Sequence, residues 1–100
     1  MLAVAVTYRT KKGMREEALR AARICSQKTR TEPGNHDYTF YAGIDDEETF
    51  FLFEHWESRA ALDAHLASEH LAAFRAALKG KLDRPADMQI FEVSSVKLGL

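Results

Sequence analysis

Two stretches constrain this chain more than any others: Leu2-Ala3-Val4-Ala5-Val6-Thr7-Tyr8 and Phe50-Phe51-Leu52-Phe53-Glu54-His55-Trp56. Both are β-prone, and both carry apolar or aromatic side chains at odd and even positions. Successive residues of a strand point to opposite faces of its sheet, so such segments ask for cover on both sides. If helices pack on one side only, the other face stays averse to water and calls for a partner sheet.

The remaining segments supply helices and further strands. After Lys11-Lys12-Gly13 breaks the first strand, Met14, Ala18, Ala21 and Cys25 recur at steps of four, three and four, one stripe of an amphipathic helix from Met14 to about Arg30. It should stop before Pro33-Gly34, because the residue preceding proline disfavours helical geometry. Tyr38 to Ile44 and Thr49 to Trp56 read as an antiparallel pair joined by the acidic connector Asp45-Asp46-Glu47-Glu48. Ser58 can cap a helix with Ala61, Leu62, His65 and Leu66 on one stripe, and a bend at Glu69 or His70 leads into a second helical stretch from about Leu71 to Leu78. Gly80 closes it, Asp83-Arg84-Pro85 is a loop, and Met88 to Lys97 is a final strand.

The order βαββαβ predicts an α+β, ferredoxin-like fold, with a four-stranded antiparallel sheet carrying both helices on one side. Residues 1–100 fit one such domain. A homodimer is the simplest cover for the other face, since one self-complementary patch suffices and each large side chain it buries contributes about 1.5–3 kcal/mol.

Charge and cysteine content narrow the setting. With 14 Lys+Arg against 15 Asp+Glu and no basic stripe, nucleic acid is not an expected partner. Cys25 is the single cysteine, so no intrachain disulfide or C-x-x-C site can form, which fits a reducing cytoplasm. Met1 to Tyr8 lacks the pattern of a signal peptide, and the apolar runs are too short to span a bilayer, so no membrane association is expected.

Glu32-Pro33-Gly34-Asn35 after the first helix, Glu54-x-Trp56 at the end of the third strand, and His65-x4-His70 across the helical bend together resemble the antibiotic biosynthesis monooxygenase family. The resemblance covers nearly the whole chain. It implies a dimeric α/β barrel in which the sheets of two subunits pair face to face. It also implies oxidation of a quinol or a polycyclic, anthrone-like phenol by molecular oxygen, with no metal, flavin or haem. Haem-degrading relatives carry an asparagine on the first strand and a histidine further along the last helix. This chain has Thr7 or Tyr8 and Phe74-Arg75 there, so haem is not expected. Other members are isomerases, and an isomerase or lyase, or a non-catalytic dimeric ligand-binding or stress-response protein, remains an alternative.

Such an oxygenation needs a base, a sheltered pocket for the ring and a donor for the developing oxyanion. His65 and His70 are the candidate catalytic residues, since imidazole titrates near neutral pH. Five residues apart, they lie about 140° apart on an unbroken helix and converge only if the chain bends near Ser68-Glu69. A metal site is not expected, because helical ligand pairs prefer i,i+4 spacing. Glu54 and Trp56 share one strand face. The carboxylate is a pocket or seam residue needing a partner, and the indole could stack on a planar ring. Tyr38 and Phe40 point one way on their strand and Tyr41 the other, so one set should reach the pocket, with Phe74 adding aromatic area. Phe51 and Phe53 could add more of the same.

Overall fold

The computed structural model describes residues 1–99, which form β1 (Leu2–Arg9), α1 (Arg15–Thr29), β2 (Asn35–Ala42), β3 (Thr49–Trp56), α2 (Arg59–Leu66), α3 (Glu69–Leu78) and β4 (Asp87–Glu92). The strands make one antiparallel sheet in the order β2-β3-β1-β4, the ferredoxin-like arrangement that the element order predicts. Within the chain the sheet is not closed, and β2 and β4 are its edges.

The two faces differ in cover. Val4, Val6 and Tyr8 of β1 and Phe50, Leu52 and Trp56 of β3 are buried against the helices, where Ala22, Cys25, Leu62 and Phe74 complete the core. Register pairs Tyr8 with Phe50, and their rings stack with centroids 4.8 Å apart. Such a contact is worth about 0.5–1.5 kcal/mol beyond the area it buries. On the other face Ala3, Ala5, Phe51 and Phe53 are half-buried, while Tyr41 and Phe91 are exposed.

Several boundaries differ from the sequence expectation, each for a tertiary reason. α1 buries Ala18, Ala22, Cys25, Ser26 and Thr29, while Met14 is an exposed cap position and Ala21 only half-buried. Hydropathy steps miss this face because two of its members are hydroxyls: Ser26 Oγ donates to the Ala22 carbonyl at 2.8 Å, and Thr29 Oγ1 lies 3.7 Å from Cys25 Sγ. β2 begins at Asn35, which pairs with Trp56 across an irregularity at His36, and ends at Ala42, leaving Ile44 outside the strand and exposed. β4 ends at Glu92, which faces Leu2, and does not continue to Lys97; beyond it the Val93 N–H donates to the Met1 carbonyl at 2.8 Å.

The connector between β2 and β3 is held by its own carboxylate. Asp46 accepts from the Glu48 N–H and the Thr49 hydroxyl, each at 3.0 Å, and from Arg9 Nε at 2.9 Å. Gly34, with φ +81°, makes the turn after α1. A Cβ there would lie 2.7 Å from that of Ala61, so turn and α2 pack at backbone distance.

Candidate functional site

The predicted bend into a second helical stretch is a full break between α2 and α3, and the second helix starts at Glu69, two residues before Leu71. Ser68 separates them: its Oγ donates to the His65 carbonyl at 2.7 Å and accepts from the Leu71 N–H at 3.3 Å, so it ends α2 and caps α3. This break overcomes the angular separation of an unbroken helix and brings the rings of His65 and His70 to 6.0 Å between centroids. Both face one carboxylate. His65 Nδ1 is 2.7 Å from Glu32 Oε2, and His70 Nε2 is 3.2 Å from the same oxygen. The second contact lies off the hydrogen-bond direction, and His70 Nε2 is buried without a hydrogen-bond partner.

Behind the histidines the network continues into the sheet. His65 Nε2 lies 3.9 Å from Glu54 Oε1, which accepts from the Trp56 indole N–H at 2.9 Å. The indole ring lies against His65 at 4.9 Å, and Tyr38 meets the same imidazole edge-on at 5.3 Å. Trp56 is fully buried, and His65 and Glu54 are only 1% and 4% exposed, so their protonation follows the protein and not bulk water.

Burial pushes the His65 imidazole below its ordinary value, against the opposing pull of Glu32, so the ring is neutral at pH 7. Burial also pushes the Glu54 carboxyl up to about 7; the Trp56 N–H pulls it down, while the nearby Glu32 charge pushes it further up. The Tyr8 and Tyr38 phenols are raised by burial and stay protonated. Cys25, whose Sγ lies 3.6 Å from the Tyr38 hydroxyl, is likewise raised by burial and is a packed thiol, not a nucleophile. The result is a neutral imidazole between two carboxyl groups, a construction suited to accepting and holding one proton.

Phe40 and Phe74 form the next layer, 5.7 Å apart and both against Tyr8. Beyond them a groove of about 700 Å³ opens between α3, β1 and β4, lined by Val6, Tyr8, Phe74 and Met88 with Arg75 and Arg84 beside them. Arg75 ties groove to network, since its charge acts on Tyr8, Glu54 and His65.

The structure therefore brings together His65, His70, Glu54, Trp56 and Tyr38, and sets Phe40 and Phe74 next to them. It does not bring Tyr41, which is 52% exposed, faces Phe51 across the ladder and lies on the side of the sheet away from the helices. Phe51 and Phe53 share that outer side. The residue that spacing does not assign a role is Glu32, the carboxylate on which both histidines converge. Its only sequence signal is its place in the Glu-Pro-Gly-Asn turn, because the contact to His65 spans 33 positions. Glu32, His65 and His70 also form a donor set of a kind that can hold a metal ion.

Fold and site together define a ferredoxin-like α+β domain with a buried histidine–carboxylate network between sheet and helices. Residues 1–77 match the model of the antibiotic biosynthesis monooxygenase family, and the chain belongs to that family. It is 32% identical over 94 residues to YcnE of Bacillus subtilis, provisionally named a monooxygenase, covering 94% of this chain and 99% of that one. It is 28% identical over 96 residues, 96% of its own length, to the uncharacterised protein sll1783 of Synechocystis, and spans 65% of that relative's length. The solved structure of Rv0793 from Mycobacterium tuberculosis superposes with a TM-score of 0.89 at 27% identity, over 95% of this chain and 96% of that one. No helix among the described residues is long and apolar enough to cross a membrane.

Proposed function

We propose that the chain is a cofactor-independent monooxygenase that oxidises a quinol or polycyclic, anthrone-like phenol with molecular oxygen and works as a homodimer. The observation that carries the reading is His65: it is neutral, with Nδ1 against the Glu32 carboxylate and Nε2 turned to Glu54. An imidazole that donates from Nδ1 keeps Nε2 free to take a proton, while Glu32 stabilises the imidazolium that results. The groove of about 700 Å³, lined by Tyr8 and Phe74 and not by His65 itself, has room for a fused-ring substrate, and its arginines suit a phenolate.

The chemistry balances without a resident cofactor. The network removes a proton and the electron-rich anion gives electrons to oxygen. With an anthrone, one oxygen atom turns the ring CH₂ into a carbonyl and the other leaves as water with its two hydrogens. With a quinol, one oxygen atom converts a ring C–H to C–OH while the ring goes to the quinone, and the other leaves as water with the two hydroxyl hydrogens. Dimer formation is supported by the outer sheet face, where Phe51, Phe53 and Phe91 are left without helical cover.

The test is oxygen uptake by metal-free protein over a panel of quinols and anthrones. Turnover above the uncatalysed rate, lowered about 10²–10⁴-fold in His65→Gln, is the expected result. No uptake with any member of the panel overturns the reading. Turnover of a substrate without oxygen would assign an isomerase or lyase instead. Ligand binding that is indifferent to replacement of His65 and His70, with no turnover, would assign a binding protein.

A further inference from the structure

The geometry points to a binding site for a divalent transition-metal ion of the zinc type at Glu32, His65 and His70, with Glu32 Oε2, His65 Nδ1 and His70 Nε2 as ligands. The donor atoms come from the turn after α1, from α2 and from α3, and all lie within 4.8 Å of one another. An ion with bonds of about 2.0–2.1 Å holds tetrahedral donors about 3.4 Å apart. The Glu32–His70 pair already stands at 3.2 Å and the Glu32–His65 pair at 2.7 Å, so the first fits, the second must widen by about 0.7 Å, and the two imidazole nitrogens stand within 4.8 Å of each other. Glu32 can supply the adjustment: its side chain is 15% exposed, whereas that of His65 is 2% exposed. Five-residue spacing separates ligands only on an unbroken helix, and Ser68 breaks this one between His65 and His70.

Two features distinguish this cluster from an ordinary ion pair. His70 Nε2 is buried and meets no hydrogen-bond partner, so the fold orders a donor atom toward Glu32 without satisfying it. On the other side of His65, Nε2 faces the Glu54 carboxylate at 3.9 Å, and the Trp56 N–H fixes that carboxylate. A metal-bound imidazole characteristically directs its second N–H at a carboxylate, and Glu54 lies on that side of His65, at 3.9 Å and so outside hydrogen-bond distance. Two imidazoles with one carboxylate favour zinc-type ions over magnesium or calcium, which prefer oxygen ligands alone. Partial exposure of Glu32 and His70 gives the ion a way in.

Occupancy has a chemical consequence. An ion on Nδ1 leaves the His65 proton on Nε2, toward Glu54, and so removes the acceptor nitrogen used by the proposed oxidation. The metal would hold the network in a resting form and take no part in turnover.

The test titrates metal-free protein with Zn²⁺ by calorimetry, with Mg²⁺ as the comparison ion, and with Co²⁺ followed by visible absorption and by paramagnetically shifted imidazole N–H resonances. One Zn²⁺ per chain, two shifted N–H resonances with Co²⁺ and no response to Mg²⁺ are expected. His70→Ala and Glu32→Gln should each weaken Zn²⁺ binding about tenfold or more. His36→Ala, at an exposed pair with Glu57, should change it less than about twofold. Absence of saturable Zn²⁺ binding below about 1 mM overturns the site, as does an equal loss in His36→Ala. If His70→Ala does not fold, the resonance count on the wild-type chain decides, and fewer than two overturns the site. None of these readouts needs a quinol, and the oxygen assay needs no metal, so the two proposals fail separately.

Discussion

Glu54 shows how one buried side chain can make stability depend on pH. In the unfolded chain a glutamate ionises near 4.5, and here its carboxyl is pushed up to about 7. Between those values the folded protein keeps a proton that the unfolded chain has lost, so this contribution is whole below 4.5 and is lost as pH rises through 7. The corresponding energy is about 3 kcal/mol. His65 runs the other way: its folded value is lowered, so its contribution is present above 6.5 and fades as pH falls through the folded value. Glu54→Gln keeps an acceptor for the Trp56 N–H and removes the carboxylate. It should raise the urea midpoint at pH 8 by the equivalent of about 2–3 kcal/mol and leave it nearly unchanged at pH 4. An equal gain at both pH values would show that Glu54 ionises freely in the fold.

Among the elements, two short connections set the site. Ser68 caps α3 and closes α2 at once, so Ser68→Ala should cost about 1 kcal/mol, read as a lower thermal midpoint. The loss should also let His65 and His70 move apart, which their imidazole NMR shifts would report. Gly34 holds the turn that carries Glu32. Its φ of +81° and the 2.7 Å approach to Ala61 make Gly34→Ala strained twice over, and a loss of about 1–3 kcal/mol is expected in chemical denaturation. A neutral effect would mean that the turn rearranges freely and does not position Glu32. That two helical stretches follow Ser58 and part near Ser68-Glu69 was legible in the sequence, but the role of Ser68 as the residue that ends one and caps the other was not, because it acts through hydrogen bonds that hydropathy does not register.

For the whole molecule, the outer sheet face carries the proposed assembly. Phe51 and Phe53 lie there half-buried and Phe91 is 50% exposed, with no helix across them. In the proposed homodimer, Phe53→Glu places a charge in the seam and should convert the protein to monomers in sedimentation at micromolar concentration. A wild-type chain that sediments as one subunit would remove the dimer from the account. Tyr41, 52% exposed on the same face, should be replaceable by Ser with little effect on oxygen uptake.

Alternation, breakers and caps in the sequence determined the order of elements, the ferredoxin-like sheet and the aromatic, carboxylate-bearing face of β3, because these follow from local periodicity. Glu54 and Trp56 were legible as a pair because alternate residues of a strand share a face, whereas His65 and His70 were brought together by the family resemblance and by a bend near Ser68-Glu69 that face counting alone does not supply. Only the tertiary structure decided that Glu32 stands between the two imidazoles, that Ser26 and Thr29 are core positions and that Tyr41 points away. Each of those facts depends on where distant segments meet, and no period within one segment encodes the distance to another.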